Sequence, residues 1–486
     1  MKSTTSSVAR KRLALVAFSS LWLAACGGGG GGGDVVATAP APTGSSSPAS
    51  SPSANGPAAP SPGGSAAPSA GGPTAPGAGA PAPQVSPPTA AFAAFDSVVL
   101  ADNPLRDGAA TARLAGGGNV ALWVAGGSAS PASTVMARLT DSAGHPVGNA
   151  FAIKAEVDTV MDVAVAAAPD GGFLVVWAGF DAAFDPTNQS AIIKHLMARR
   201  YAADGTLLNE TRLIADPQVE FRGISVEPLP AGGYVVGWTM QVARMAPGWG
   251  YLQRLDANGK PAGAQVALVD RHDATTGQVD VALVPLADGT LTAAWVERPN
   301  IGDGTTWVST RRFDASMQPL GAPTEVEGTR QPPTSAIRVA AAPSGANVAL
   351  AWAVVGAGQS DEIRSAVLAP GSSTPGAVTS VTTTFPVVTL RAESLGSGTY
   401  GVIWQELNGS NIGAYTSVFM QRHDATAAVT GAPVELDQRH VTYVSRITGG
   451  VGAGQDIGVD AGPDGHVVVS GQFADSTTSH VVLVGR

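Results

Sequence analysis

The amino-acid sequence predicts an all-β fold: a seven-bladed β-propeller of four-stranded antiparallel blades. The expected ring is closed by pairing of an N-terminal strand with the C-terminal blade, and a disordered tether precedes it. Three observations predict this. A turn followed by an apolar run ending in Trp recurs at Trp123, Trp177, Trp238, Trp295, Trp352 and Trp404, at intervals of about 56 residues. Each interval holds four short strand-like segments separated by Gly and Asp turns. The last unit, with Gly471 in place of Trp, stops after its third strand, His480 to Arg486, while a spare strand, Ala93 to Asp102, stands before the first unit. Joining the two would leave no open sheet edge.

Within a unit, the first strand alternates and is rich in Ala and Val, as in Met161 to Ala168 and Val279 to Leu286. That suits crowding near a propeller axis. The turn follows, for instance Pro169-Asp170-Gly171-Gly172, and then the Trp strand. Phe173-Leu174-Val175-Val176-Trp177 is apolar without alternation, which marks a strand covered on both faces. The repeated Trp residues are therefore core, not a ligand cage. The third strand ends in Arg (Arg138, Arg200, Arg254, Arg312, Arg422), expected to make a hydrogen bond or ion pair within its own blade. A turn such as Asp256-Ala257-Asn258-Gly259 leads to the fourth strand.

Gly and Pro are over-represented, with 61 and 36 in 486 residues. The excess has two sources. Residues 27–91 are almost wholly Gly, Pro, Ala, Ser and Thr, with Asp34 as the lone charge, too little apolar surface to offset ordering entropy. The remainder meets the turn requirement of about 28 short strands. Only 13% of residues are charged and the net charge is −9. Lys beyond the leader is limited to Lys154, Lys194 and Lys260, so nothing supplies the clustered cations that nucleic acid needs. One cysteine, Cys26, excludes an internal disulfide or a cysteine-based metal site.

The basic stretch Arg10-Lys11-Arg12 precedes an apolar run from Leu13 to Ala25, too short for a spanning helix and typical of an export signal. It ends Leu23-Ala24-Ala25-Cys26. This resembles the lipobox of bacterial lipoproteins. The resemblance implies a signal peptide over 1–25 and a diacylglyceryl group on Cys26, with the tether at 26–91 and the propeller at 92–486. Gly27, not Asp, follows the cysteine. By the same resemblance this implies the outer membrane, with the domain on the periplasmic face or the cell surface.

The repeat itself resembles bacterial propeller-like repeats reading DGG-aromatic-x-V-x-W, then QR-[FL]-D-x-x-G-x-P-x-G. Arg254 to Gly263 carries the second half, and Arg312 to Gly321 carries it more loosely. The likeness covers most of 109–486, departing at Arg364 and at Gly471. It implies an extracytoplasmic architecture and no defined activity.

No nucleophile elbow, zinc-protease helix or phosphate loop is present, no cofactor motif is found, and the Asp-Gly turns lack a calcium ligand ladder. Gly302 to Trp307 reads as a turn. Function is expected on the longer, variable loops. They supply a candidate binding face of Asp181, Asp185, Trp249, Arg271, His272, Asp273, Glu297, Arg298, Trp307, Glu406, Arg439, His440 and Tyr443. The expectation is a lipid-anchored, monomeric binding or scaffold module for an envelope protein or glycan. The alternative is a polysaccharide-active enzyme of glycoside hydrolase type using loop carboxylates. Carboxylates converging at the axis would favour the enzyme, and an exposed apolar patch would favour the binding module.

Overall fold

The structure is a computed structural model. It describes residues 84–85, 96–102, 105–125, 133–154, 158–181, 194–216, 219–241, 248–270, 276–299, 304–332, 336–355, 360–408, 415–442, 457–462, 467–474 and 479–485. The expected signal peptide, Cys26 and all of the expected tether except 84–85 lie outside them.

Two strands come first, β1 (Gln84–Val85) and β2 (Asp96–Asp102). The first sheet is β3 (Leu105–Arg113), β4 (Asn119–Ala125), β5 (Thr134–Thr140) and β6 (Pro146–Lys154). The second is β7 (Asp158–Ala167), β8 (Phe173–Asp181), β9 (Lys194–Tyr201) and β10 (Leu207–Asp216). The third is β11 (Glu220–Pro228), β12 (Tyr234–Gln241), β13 (Gly248–Leu255) and β14 (Val266–Ala267). The fourth is β15 (Thr276–Pro285), β16 (Leu291–Pro299), β17 (Trp307–Phe313) and β18 (Thr324–Glu325). The fifth is β19 (Ala336–Ser344), β20 (Asn347–Val355), β21 (Glu362–Leu368) and β22 (Thr379–Thr382), with β1 added in parallel on β22. The sixth is β23 (Val387–Gly396), β24 (Thr399–Asn408), β25 (Tyr415–His423) and β26 (Val429–Thr442).

These six sheets are antiparallel meanders, each with one repeated Trp on its second strand. The last unit is completed as a composite sheet, the pairing that the strand counts predict. β27 (Ile457–Ala461), β28 (Val467–Ala474) and β29 (Ser479–Gly485) pair in order, and β2 adds antiparallel to β29, Ser97 opposite Val484. Each first strand lies against the first strand of the next sheet, and β27 lies against β3. The protein is an all-β propeller of four-stranded antiparallel blades.

The core sits between the sheets. One apolar cluster joins the first and second sheets, centred on Phe173, Val175 and Trp177. The series continues around the axis through Trp238, Trp295, Trp352 and Trp404. Trp123 packs with Leu100 and Val468 and so ties the composite sheet to the first. Between the sixth sheet and the composite one, where Gly471 replaces Trp, smaller side chains such as Ile403, Ile457 and Val467 fill the contact. All six Trp side chains are fully buried, as the unbroken apolar runs predict.

The third-strand arginines fall in two registers, not one. Counted from the residue paired with Trp, Arg138, Arg199, Gln253, Arg311 and Gln421 share one position, and Arg200, Arg254, Arg312 and Arg422 the next. Side chains in the first position reach a carbonyl ten residues ahead, at Gly148, Gly263, Gly321 or Gly431. The arginines there also cross to the outer strand of the preceding sheet, bonding the carbonyls of Leu100, Ile153 and Leu268. Of the arginines expected to bond within their own blade, Arg138 does so at Gly148 and also crosses to the preceding sheet at Leu100. In the second position Arg200 holds Asp170 and Arg312 holds Asp288, both in the first turn of their own sheet. The Asp that follows, at 141, 256, 314 and 424, accepts backbone N–H groups two and four residues on, which fixes the turn.

Candidate functional site: the axial channel

The first strand of each sheet lines the axis, and ionisable side chains stand on it. Strand register places them. Val163, Val339 and Leu390 lie opposite the Trp of their sheets, and Ile457 lies opposite Gly471. One residue before that position are Asp162 and Arg338, and one after it is Arg391. Three residues after it are Glu227, Glu393 and Asp460. The axis thus carries a mixed-charge tier towards the variable-loop face and a carboxylate tier towards the short-turn face.

The carboxylate tier is strongly perturbed. Burial pushes the Glu227 carboxyl up to about 8, and the nearby Asp460 charge adds to the rise. Burial also raises Glu393 well above its ordinary value, reinforced by Asp460 and Glu227 and opposed by Arg391. Asp460 rises to about 6, again by burial, held back by hydrogen bonds from the backbone N–H groups of Arg113 and Ala461. All three side chains are half-buried. Three carboxyl groups that cannot all ionise are the arrangement that separates an acid from a base. Among the described residues no three His, Cys, Asp or Glu side chains come together so as to hold a metal ion.

The mixed tier has a different character. Asp162 is buried and accepts the N–H groups of Val163 and of Ile224 in the next sheet, so it staples two blades. Burial lifts it to about 6. Asp280 sits in the bulge of β15 between Val279 and Ala282, with φ +53°, a left-handed conformation rare for a strand residue. Its Oδ2 is buried without a hydrogen-bond partner among the described residues. Burial lowers Arg298, with Asp280 opposing the shift and Arg338 adding to it. Arg391 is likewise lowered by burial and feels Asp162, Glu393, Asp280 and Arg338.

The sequence-predicted face fares differently. Arg298 alone joins the axial cluster. Glu297 is a buried cap: its carboxylate accepts Trp295 Nε1–H at 2.7 Å and Gln278 Nε2–H at 3.0 Å. Glu406 repeats this with Trp404 Nε1–H at 2.8 Å and also accepts the N–H groups of Thr384 and Phe385. Both carboxylates are structural, because strand period two sets a residue two beyond Trp on the same face as the indole. Trp307 lies at the start of β17 under the Arg330 guanidinium, 4.6 Å from its ring. Trp249 lies within β13, paired with Met240. Asp181 ends β8, and Arg439 and His440 lie in β26. Asp185, Arg271, His272, Asp273 and Tyr443 lie outside the described residues. The axial carboxylates were missed, although a signal existed. The signal is an acid three residues beyond the position opposite Trp, or opposite Gly471, on a first strand, at Glu227, Glu393 and Asp460.

No family model matches the chain, and no curated protein matches it. Solved structures do resemble it. The alpha-L-arabinanase of Penicillium chrysogenum, complexed with arabinobiose, is 13% identical over 80% of this chain and 97% of its own, with TM-score 0.43. The GH93 alpha-L-arabinofuranosidase of Fusarium graminearum with arabinobiose is 11% identical over 64% of this chain and 92% of its own, with TM-score 0.43. The beta-propeller domain of the Trilobed protease from Pyrococcus furiosus, which has an open velcro topology, is 8% identical over 81% and 96%, with TM-score 0.38.

Proposed function

We propose that the protein is a polysaccharide-active enzyme of glycoside hydrolase type whose acid–base pair lies in the axial channel. The observation that carries this is the carboxylate tier of Glu227, Glu393 and Asp460, on three different strands at one register. At neutral pH Glu227, raised to about 8, keeps its proton and can deliver it to a leaving-group oxygen. Asp460, at about 6, is ionised and is oriented by two backbone N–H groups, as a base or nucleophile requires. The exposed large apolar side chains among the described residues, Val99, Val147, Leu207, Leu208 and Leu320, stand on outer strands and turns. They make a weaker case for the binding module than the axis makes for the enzyme.

In this reading the composite sheet is a seventh blade and the ring is closed. Lipidation at Cys26 and the tether hold the enzyme at the outer membrane, where polysaccharide is within reach. Loss of palmitate labelling in Cys26→Ala tests the anchor. Release of new reducing ends from a panel of neutral and acidic polysaccharides tests the activity. Wild type should cleave at least one, and Glu227→Gln, an isosteric change, should lower kcat by about 10²–10⁴-fold with the fold intact by circular dichroism. Cleavage of none, or full activity in Glu227→Gln, would overturn the reading.

A further inference from the structure

The outer strand of a sheet presents a row of N–H and C=O groups on which another strand can add. Most outer strands here are guarded. β6, β10, β26 and β2 each pair with a register shift, and each carries charged side chains. β14 and β18 are only two residues long. β22 has none of these guards. Its Thr379-Ser380-Val381-Thr382 is uncharged and free of proline, and it pairs with β21 over four consecutive positions without a shift. Among the described residues it is also the one outer strand that carries a further strand. That strand is β1, parallel to it, with Gln84 opposite Ser380 and Val85 opposite Val381.

The sequence of β1 stands out from its surroundings as β22 does from the other edges. Over residues 37–91, Val85 is the only Val, Ile, Leu, Met or aromatic residue, and Gln84 is the only Gln. Pro83 precedes the pair, and Pro87-Pro88 follow after Ser86. Proline has no N–H to give to a ladder, so pairing is confined to the residues between these prolines. The one place in that stretch with a strand-favouring aliphatic side chain therefore meets the one unguarded edge.

We propose that Gln84–Val85 is a clip that fastens the expected tether to the rim of the fifth blade by strand addition. The tether then leaves the ring at β22, and its reach is set by residues 27–83. Ten residues, 86–95, join the clip to β2, the strand that pairs with β29. A pull on the tether meets β1 before it reaches β2, so the clip shields the composite sheet from load. This holds whether or not the axis is catalytic. The test is disulfide trapping in the full-length chain carrying Cys26→Ser, so that no other thiol is present. Paired positions on neighbouring strands lie about 4.8 Å apart, within the span a disulfide bridges. Gln84→Cys with Ser380→Cys should cross-link within one chain at least about 10-fold faster than Thr74→Cys with Ser380→Cys, which has only the proximity of a linker. Because Ser380 is buried, Ser86→Cys with Thr382→Cys, one step further along the half-buried end of β22, is the second pair should the first fail to fold. Equal rates at the clip and at Thr74 would overturn the proposal. Cross-links formed chiefly between two chains would overturn it as well, since the segment would then sit on a second copy.

Discussion

Glu406 and Glu227 are both acids on apolar strands, and their partners separate them. Glu406 has four contacts' worth of reason to be where it is: an indole N–H, two backbone N–H groups and the strand face shared with Trp404. Glu406→Ala leaves those buried donors unmatched and should cost about 2–4 kcal/mol, read as a lower urea midpoint with unchanged slope. Among the described residues Glu227 has no such partner, and its proton is held by burial. An acid whose folded pKa lies above its unfolded value is easiest to fold while protonated. Its stability contribution is intact below the ordinary value of 4.5 and is lost as pH rises through about 8. Asp162 and Asp460 act in the same direction up to about 6. The melting temperature should therefore fall between about pH 4 and pH 8. Glu227→Gln should flatten the part above pH 6, and a wild-type melting temperature that rises over that range would contradict the assignment. The Trp-x-Glu pattern of Glu297 and Glu406 was legible as a cap, since period two fixes the shared face. Sequence does not separate it from a loop carboxylate, because loop ends and strand ends look alike there.

Strands and turns were the most legible scale. Apolar runs gave the Trp strands, and Asp-Gly turns gave the connections, because both reflect local chemistry. What the repeat concealed was the direction of its arginines. Arg199 and Arg200 are adjacent, yet one bonds the preceding sheet at Ile153 and the other its own turn at Asp170. Adjacent strand residues face opposite sides, and only register against Trp shows which side meets a neighbour. Arg311 is the fullest example. It is buried, and it donates to Leu268 O, Gly321 O and Asp270 at 2.7–3.0 Å. Arg311→Ala should cost about 2–3 kcal/mol in urea unfolding, whereas Arg330→Ala, an exposed pair with Glu325, should cost less than about 1 kcal/mol. Equal costs would show that the crossing bonds do not hold the blades.

At the scale of the whole molecule, β2 and the three last strands make one sheet. β2 pairs with β29, and Gly458 on β27 lies so close to β3 that a Cβ there would sit 2.5 Å from the Ala110 backbone. Closure was legible because a missing fourth strand and a spare first strand are complementary counts. The axis was not, since its residues are far apart in sequence and meet only when the ring is built. A chain beginning at residue 93 should keep the full melting temperature. One beginning at 105, lacking β2, should lose several degrees and gain protease sensitivity at β29. The channel is the central claim, and the dependence of kcat/KM on pH for a cleaved polysaccharide tests it most directly. The carboxylate tier predicts a bell, rising as Asp460 ionises near 6 and falling as Glu227 ionises near 8, with the upper limb gone in the residual activity of Glu227→Gln. A profile flat across that range, or one that Glu227→Gln leaves unchanged, would contradict it.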